Sequence, residues 1–350
     1  MSPVGGLSDR EALILQTVVH TYITTAEPVG SRTIVKRFGL DVSPATVRNV
    51  MADLEESGFL EQIHTSSGRI PTDRGYRYYV NYLMRVQELT LAERARIDRE
   101  LSQRLTDADE IMHQTSQLLA LVTHHAGIVE APDDRQAQIR HIEVMSVSPT
   151  RAAVLVADTN GQVRTAMVSL DKALGAEEMV KLNRFLNEHL CGSALDDPVA
   201  SLDAGVRSMA EEERRLAEQA RTILNLVPSR RTGQLYLEGA TQLFAQPEFR
   251  DVEKAREVFG LFEERERLVE LLRASACDTT STGPSVVIGS EAESRGLPEI
   301  SVVASPYRVG SRPVGMLGVL GPRRMPYSRL TAIVDYTANK LSRFLTRLAS

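Results

Sequence analysis

The chain has 350 residues, enough for two or three domains rather than one oversized core. Its 41 Lys+Arg against 46 Asp+Glu leave a formal net charge of −5, which excludes a uniformly basic nucleic-acid coat but not a local basic face. The two cysteines, Cys191 and Cys277, stand far apart without a second pair, which excludes a disulfide scaffold or zinc ribbon.

Ser8-Asp9-Arg10-Glu11 has the spacing of a capping box, and Ile14, Val18 and Tyr22 repeat at helical spacing behind it. A first helix is predicted over about 9–24. Pro28 and Gly30 break it, Ser31 caps a short helix from Arg32 to Phe38, and Gly39 ends that one. Ser43-Pro44 starts a third helix, with a hydroxyl at the cap and proline where its missing N–H costs nothing. Val47, Val50, Met51 and Leu54 form its inner face, and Gly58 sits where it should stop. Phe59 to His64 reads as a strand, Thr65 to Gly68 as a turn, and Arg69-Ile70-Pro71 as a returning strand. Thr72 then caps a helix over roughly 73–86. Three short helices followed by a hairpin predict a winged helix-turn-helix.

The chemistry such a unit offers is DNA reading. The outer face of the third helix carries Ala45, Arg48, Asn49 and Ala52. Arginine can pair with the guanine edge, asparagine with the adenine edge, and alanine admits the groove floor or a thymine methyl. Thr46, at the positive start of the helix, is a natural phosphate contact. Ser66, Ser67 and Arg69 on the hairpin can reach the backbone or a minor groove. Arg32, Lys36, Arg74 and Arg77 are candidates for phosphate contacts that position without specifying sequence. Against this stands the charge: nine basic and ten acidic residues over 1–90. A protein-interaction module with the same fold is the alternative. Tyr76, Tyr78, Tyr79 and Tyr82 could stack on bases, but their helical spacing favours packing.

Three runs carry a resemblance: Pro28-Val29-Gly30-Ser31-Arg32, then Ser43-Pro44-Ala45-Thr46-Val47-Arg48-Asn49, and the long run from His64 through Gly68, Arg69, Asp73, Gly75 and Tyr76 to Val80. Together they resemble the HrcA family of bacterial heat-inducible transcription repressors.

Downstream, Leu91 to about Thr123 reads as one amphipathic helix, either a strut leaving the DNA module or a packed domain helix. Ile139 to Leu170 reads as a three-stranded meander. Gly175–Leu190 and Leu202–Leu226 are predicted helices, Gly233–Phe244 is ambiguous, and Asp251 to about Ser275 is a further long helix. Strands are predicted at 285–289, 300–304 and 313–322, and a closing helix from Ser328 to about Leu348. Strands on both sides of a helical block suggest an α+β domain interrupted by an insertion. The resemblance continues through Tyr236-Leu237-Glu238-Gly239, Pro247 to Asp251, Val287 to Glu291 and Gly321 to Tyr327. In the last run the family pattern has Thr and Asp where this chain has Arg323 and Pro326.

The resemblance implies an α+β multidomain protein. Its parts would be a winged helix-turn-helix DNA-binding domain at 1–90, a GAF-like domain at 91–171 and 284–350, and a mostly helical inserted dimerisation domain at 172–283. It further implies a homodimer on double-stranded DNA at an inverted-repeat operator, the CIRCE element, repressing chaperone operons with activity maintained by the GroEL chaperonin.

No apolar run approaches the ~18 residues that would span a bilayer, and no secretory pattern follows Met1, so a cytoplasmic protein without a membrane partner is expected. Gly315-x-x-Gly318-x-x-Gly321 lacks the dinucleotide fingerprint. The His124-His125 pair lacks zinc spacing, and no G-x-S-x-G elbow occurs. An enzyme, a cofactor and a metal are therefore not expected. A winged-helix regulator controlled by a small-molecule effector in its GAF-like domain is the alternative to the chaperonin-linked repressor.

Overall fold

The computed structural model describes residues 6–39, 42–63, 68–101, 108–132, 137–159, 163–170, 172–195, 198–206, 211–226, 234–275, 283–291 and 299–349. Helices and three separate antiparallel sheets alternate in it, an α+β architecture in several cores.

Three helices open the chain: α1 (Asp9–Thr25), α2 (Ser31–Phe38) and α3 (Pro44–Glu56). The Ser8–Glu11 capping box forms as expected, and Ser43 caps α3 with Pro44 behind it. Ile14, Leu15, Val18 and Val19 of α1 close on Ile34 of α2 and on Val47, Met51 and Leu54 of α3. A two-stranded hairpin follows, β1 (Leu60–Gln62) and β2 (Arg69–Pro71), paired Leu60 to Pro71. Arg69 also exchanges both backbone hydrogen bonds with Val29, so the hairpin is stitched to the α1–α2 connection. The next helix is shorter than the 73–86 expected. α4 (Asp73–Tyr78) widens into one π turn, Tyr79–Leu83, and the chain becomes extended at Met84. Gly75 in α4 is required by contact: a Cβ there would enter the carbonyl oxygen of Phe59.

The segment expected as one helix over 91–123 contains two, α5 (Leu91–Leu101) and α6 (Ala108–Thr123), which pack on each other. Neither is a strut. α6 lies under β3 (Ala126–Glu130), a strand of five buried residues. β3 belongs to a five-stranded sheet in the order β7-β3-β10-β9-β8, made with β7 (Leu235–Glu238), β8 (Ser285–Val287), β9 (Ile300–Val309) and β10 (Arg312–Pro322). One face carries Val129, Val303, Leu317 and Val319 against α6 and the closing helix α13 (Tyr327–Ala349). The other carries Ile128, Val302, Met316 and Leu320 against α11 (Val252–Glu263) and α12 (Arg265–Ser275), which follow the short α10 (Ala240–Phe244). Cover on both faces explains why these strands read as apolar runs without alternation. The single helix expected over 251–275 is broken at Glu264, whose backbone is non-helical.

The third unit runs across residue 172, where the insertion is expected to begin. The meander β4 (Ile139–Ser148), β5 (Arg151–Asp158) and β6 (Val163–Ser169) forms its own sheet. Its core joins α7 (Ala176–Leu190), α8 (Pro198–Val206) and α9 (Glu211–Leu226), through Ile142, Val144, Val154, Leu182, Phe185, Leu186 and Ile223. A boundary at 172 cuts through that core, and residues 235–275, expected inside the insertion, pack on the five-stranded sheet instead. The free edge of β4 explains the association. Asn183 and Asn187, one turn apart on α7, each bracket a β4 residue: Asn187 bonds N and O of Ile142 at 3.1 and 2.7 Å, and Asn183 those of Val144 at 2.7 and 2.9 Å. Two side-chain amides thus stand in for a fourth strand.

Candidate nucleic-acid interface

α3 presents its chemistry through its cap. Ser43 Oγ accepts from Thr46 N at 3.1 Å, and the two hydroxyls lie 3.0 Å apart. The cap leaves Thr46 half-buried and tied to Ser43, so its hydroxyl reaches a phosphate only alongside that partner. With Val47 and Met51 buried, the helical phase turns Ala45, Arg48 and Asn49 out to solvent, and Ala52 half out. Arg48 and Asn49 have no hydrogen-bond or ion-pair partner among the described residues. On α2, which packs directly on α3, Arg32 and Lys36 are exposed in the same state. Ala45, Arg48, Asn49, Arg32 and Lys36 are thus the expected residues that lie fully exposed on this surface.

Three other candidates are engaged elsewhere. Arg69 donates Nε to Glu55 Oε2 at 2.7 Å with only 15% of its side chain exposed, so it fastens the hairpin to α3. Arg74 donates to the Ser57 carbonyl at 2.8 Å and lies over the Phe59 ring at 4.5 Å, closing the end of α3. Arg77 pairs with Glu291 and donates to the Val286 carbonyl at 2.6 Å. Partners this remote in sequence are invisible to a count of helical phase. Ser66 and Ser67 lie outside the described residues. Tyr76, Tyr78 and Tyr79 are buried and pack rather than stack on bases. Tyr76 meets Tyr327 edge-on at 5.9 Å, and Tyr78 meets Phe59 at 5.3 Å.

What the sequence did not reveal is how the N-terminal unit is held. Asp73 accepts from Arg323 Nη1 at 3.1 Å and from the Ser290 amide at 2.8 Å. Arg324 donates to Glu248 at 2.6 Å, to Gln246 at 3.1 Å and to the Ile23 carbonyl at 2.8 Å. Arg323, one of the two positions where the last run differs from the pattern the resemblance implies, is a principal tie of the clasp. Beneath the clasp, Tyr76 and Tyr327 join the apolar cores of the two units into one cluster. Burial pushes the phenol of Tyr76 well up from its ordinary range, and that of Tyr327 likewise. Both therefore stay neutral at any working pH.

Residues 109–331 match the family model described as the HrcA protein C terminal domain. The heat-inducible transcription repressor HrcA of Geobacter sulfurreducens is 39% identical over 343 residues, covering 97% of this chain and 98% of its own. The HrcA of Pelotomaculum thermopropionicum is 38% identical over 343 residues, covering 98% of each. The chain belongs to the HrcA family. Family membership places it among heat-inducible transcription repressors, which regulate transcription and are not enzymes. A crystal structure of a hypothetical protein at 2.2 Å resolution shares this chain's fold, with a TM-score of 0.68 and 23% identity over 98% of this chain and 99% of that one. Among the described residues no helix is long and apolar enough to cross a membrane.

Proposed function

We propose that this protein represses chaperone operons by binding an inverted-repeat operator, the CIRCE element, as a homodimer, and that GroEL maintains its activity. In this reading α1 to α3 with the β1–β2 hairpin are a winged helix-turn-helix, and the five-stranded sheet with its helices is the GAF-like domain. The observation that carries it is the pair Arg48–Asn49: adjacent, exposed, without a side-chain partner among the described residues, and on the half of α3 next to its capped start. That is where a recognition helix meets base edges. Lys36 and Arg32 on α2 supply phosphate contacts.

The dimer is supported by the outer face of the meander. Met145, Val147, Val163 and Met167 are 46%, 60%, 63% and 47% exposed, and Met145 and Met167 flank Ala153 in one cross-strand row. A second copy covering this face matches the two-fold symmetry of an inverted repeat. The chaperonin link rests on the family resemblance, and a two-state switch needs a shift of only a few kcal/mol.

The test is fluorescence anisotropy on an operator duplex and a scrambled one, across a salt series, with and without GroEL and ATP. Selective, salt-dependent binding that GroEL improves is expected; loss of selectivity under every condition would overturn the reading. Arg48→Ala should cost roughly 1–3 kcal/mol on operator and relax base preference. Lys36→Ala should weaken both duplexes alike and flatten the salt slope.

A further inference from the structure

Beyond residue 304, β9 loses its neighbour on one side. β8 pairs with it only as far as Ser285 to Ala304, so the stretch from Ser305 to Val309 has a free edge. α13 runs alongside that edge and caps it with hydroxyls. Ser342 Oγ accepts from the Arg308 amide at 2.9 Å, and Thr346 Oγ from the Gly310 amide at 2.8 Å. Between strand edge and helix lies an open groove of about 510 Å³, within the ~300–1,000 Å³ range of small-molecule sites.

The lining is polar and asymmetric. Asp335, Asn339, Arg343 and Arg347 recur every four residues on α13, so they form one stripe along the groove. Arg308 faces the last two turns from the strand. None of the three arginines has an ion-pair partner among the described residues: Arg308 donates to the Ser311 carbonyl at 3.0 Å, and Arg347 lies over the Phe344 ring at 5.5 Å. Asp335 is the one carboxylate in the lining. In a chain of net charge −5, this concentrates positive charge at one end of a concave surface. Guanidinium forks suit phosphate oxygens, which they bind two at a time. At the other end Asp335, whose carboxyl burial pushes up from its ordinary value, and Asn339 accept from hydroxyl or amino donors. Eight residues of helix separate Asp335 from Arg343, ~12 Å at 1.5 Å per residue.

We propose that this groove binds a nucleoside phosphate, with its phosphates held by Arg308, Arg343 and Arg347 and its sugar hydroxyls by Asp335 and Asn339. A cationic end, a donor-accepting end and that spacing match a phosphate chain joined to a ribose better than a bare anion. The site lies outside the α2–α3 surface and its occupancy is measurable without DNA, so its failure leaves the operator reading untouched.

The experiment is isothermal titration of the full-length protein with ADP, pyrophosphate and adenosine, with magnesium omitted. ADP is expected to bind at one site per chain with a Kd below about 1 mM. Arg343→Ala with Arg347→Ala should weaken ADP by roughly tenfold or more. Both positions are exposed, and unchanged circular dichroism and thermal midpoint would show that the variant folds. Asp335→Asn should weaken ADP while leaving pyrophosphate unchanged. No saturable ADP binding overturns the site. So does ADP binding that the double arginine variant leaves intact. Pyrophosphate binding as tight as ADP, with both insensitive to Asp335→Asn, overturns it as well, because it marks a plain basic patch.

Discussion

Asp73→Ala tests whether the N-terminal unit is clasped or merely tethered. The wild-type carboxylate takes two bonds across the junction, from the Ser290 amide at 2.8 Å and from Arg323 at 3.1 Å. The carboxylate side chain is 17% exposed and that of Arg323 33%. A hydrogen bond to a charged group contributes about 1.5–3 kcal/mol when buried. Partial exposure puts each of these at or below the low end. Among the described residues Arg323 keeps one ion pair, to Glu299 at 3.8 Å, once Asp73 is gone. A net loss of about 2 kcal/mol at the junction is expected, close to a 30-fold change in the local opening equilibrium. Unfolding of the whole chain is a poor readout, because three cores need not melt together. Hydrogen exchange at the Ser290 amide reads the bond itself. Its protection should fall about 30-fold in Asp73→Ala and less in Asp73→Asn, which keeps an acceptor. Unchanged protection at Ser290 and at the α4 amides in both variants would show that these pairs hold nothing.

Other substitutions separate scaffold from interface. Gly75→Ala should destabilise the N-terminal unit by about 1–3 kcal/mol, since a Cβ there enters the Phe59 carbonyl; chemical denaturation monitored near Tyr78 measures it, and a loss within error would contradict the close approach. Arg69→Ala should lower the stability of the hairpin while leaving the ratio of operator to scrambled affinity unchanged, because Arg69 is spent on Glu55; a change in that ratio would return Arg69 to the DNA surface. Acidification should weaken the core around His125. Burial lowers the pKa of this residue below its ordinary 6.5, with Nδ1 bonded to the Thr123 carbonyl at 2.7 Å. The unfolded chain then binds the proton more readily than the folded one, so the stabilising preference for the neutral ring is complete above about pH 6.5 and is lost as pH falls through the folded value. Thermal midpoints of wild type and His125→Gln between pH 8 and 5.5 should diverge in slope below that point; parallel curves would remove His125 from the explanation.

Local chemistry made the N-terminal unit legible. Ser8, Ser43 and Thr72 announce helix starts through hydroxyl caps, and each cap is formed. Gly58 follows α3 in the left-handed region at φ +73°, as a glycine after a helix should. Elsewhere the signal fails for identifiable reasons. β3 is illegible in the sequence because Ala126-Gly127-Ile128-Val129 is a short apolar run buried on both faces, ended by a buried Glu130, and such a run has no period to read. The break between α11 and α12 falls at Glu264, without glycine or proline to mark it. The meander 139–169 looks from sequence like part of the larger sheet. The shared core with Leu182, Phe185 and Leu186, and the bracketing of Ile142 and Val144 by Asn187 and Asn183, assign it to the helices that follow. The basic candidates divide the same way. Among the described residues Arg32, Lys36 and the base-reading candidate Arg48 have no hydrogen-bond or ion-pair partner, while the phosphate candidates Arg74 and Arg77 and the hairpin residue Arg69 are each held by a partner 14 or more residues away.

The junction bears on how heat could reach a DNA-reading surface. A unit on a slack linker would keep its own stability and read DNA whatever the rest of the chain did. Here Tyr76 and Tyr79 share one apolar cluster with Tyr327, Leu330 and Ile333 of α13, and the Ser328 hydroxyl bonds the carbonyl of Arg85 in the connecting segment. Loosening α13 from β9 therefore removes part of the floor on which α4 rests. The ion pairs above that floor weaken little on heating, because the penalty for desolvating charge falls as temperature rises. The apolar contacts of α13 with α4 and the five-stranded sheet are then the thermally exposed element. Cavity-forming changes such as Leu330→Ala, about 2–5 kcal/mol for a fully buried leucine, should lower the temperature at which operator binding is lost. Arg48→Ala should lower affinity at every temperature and leave that midpoint where it was.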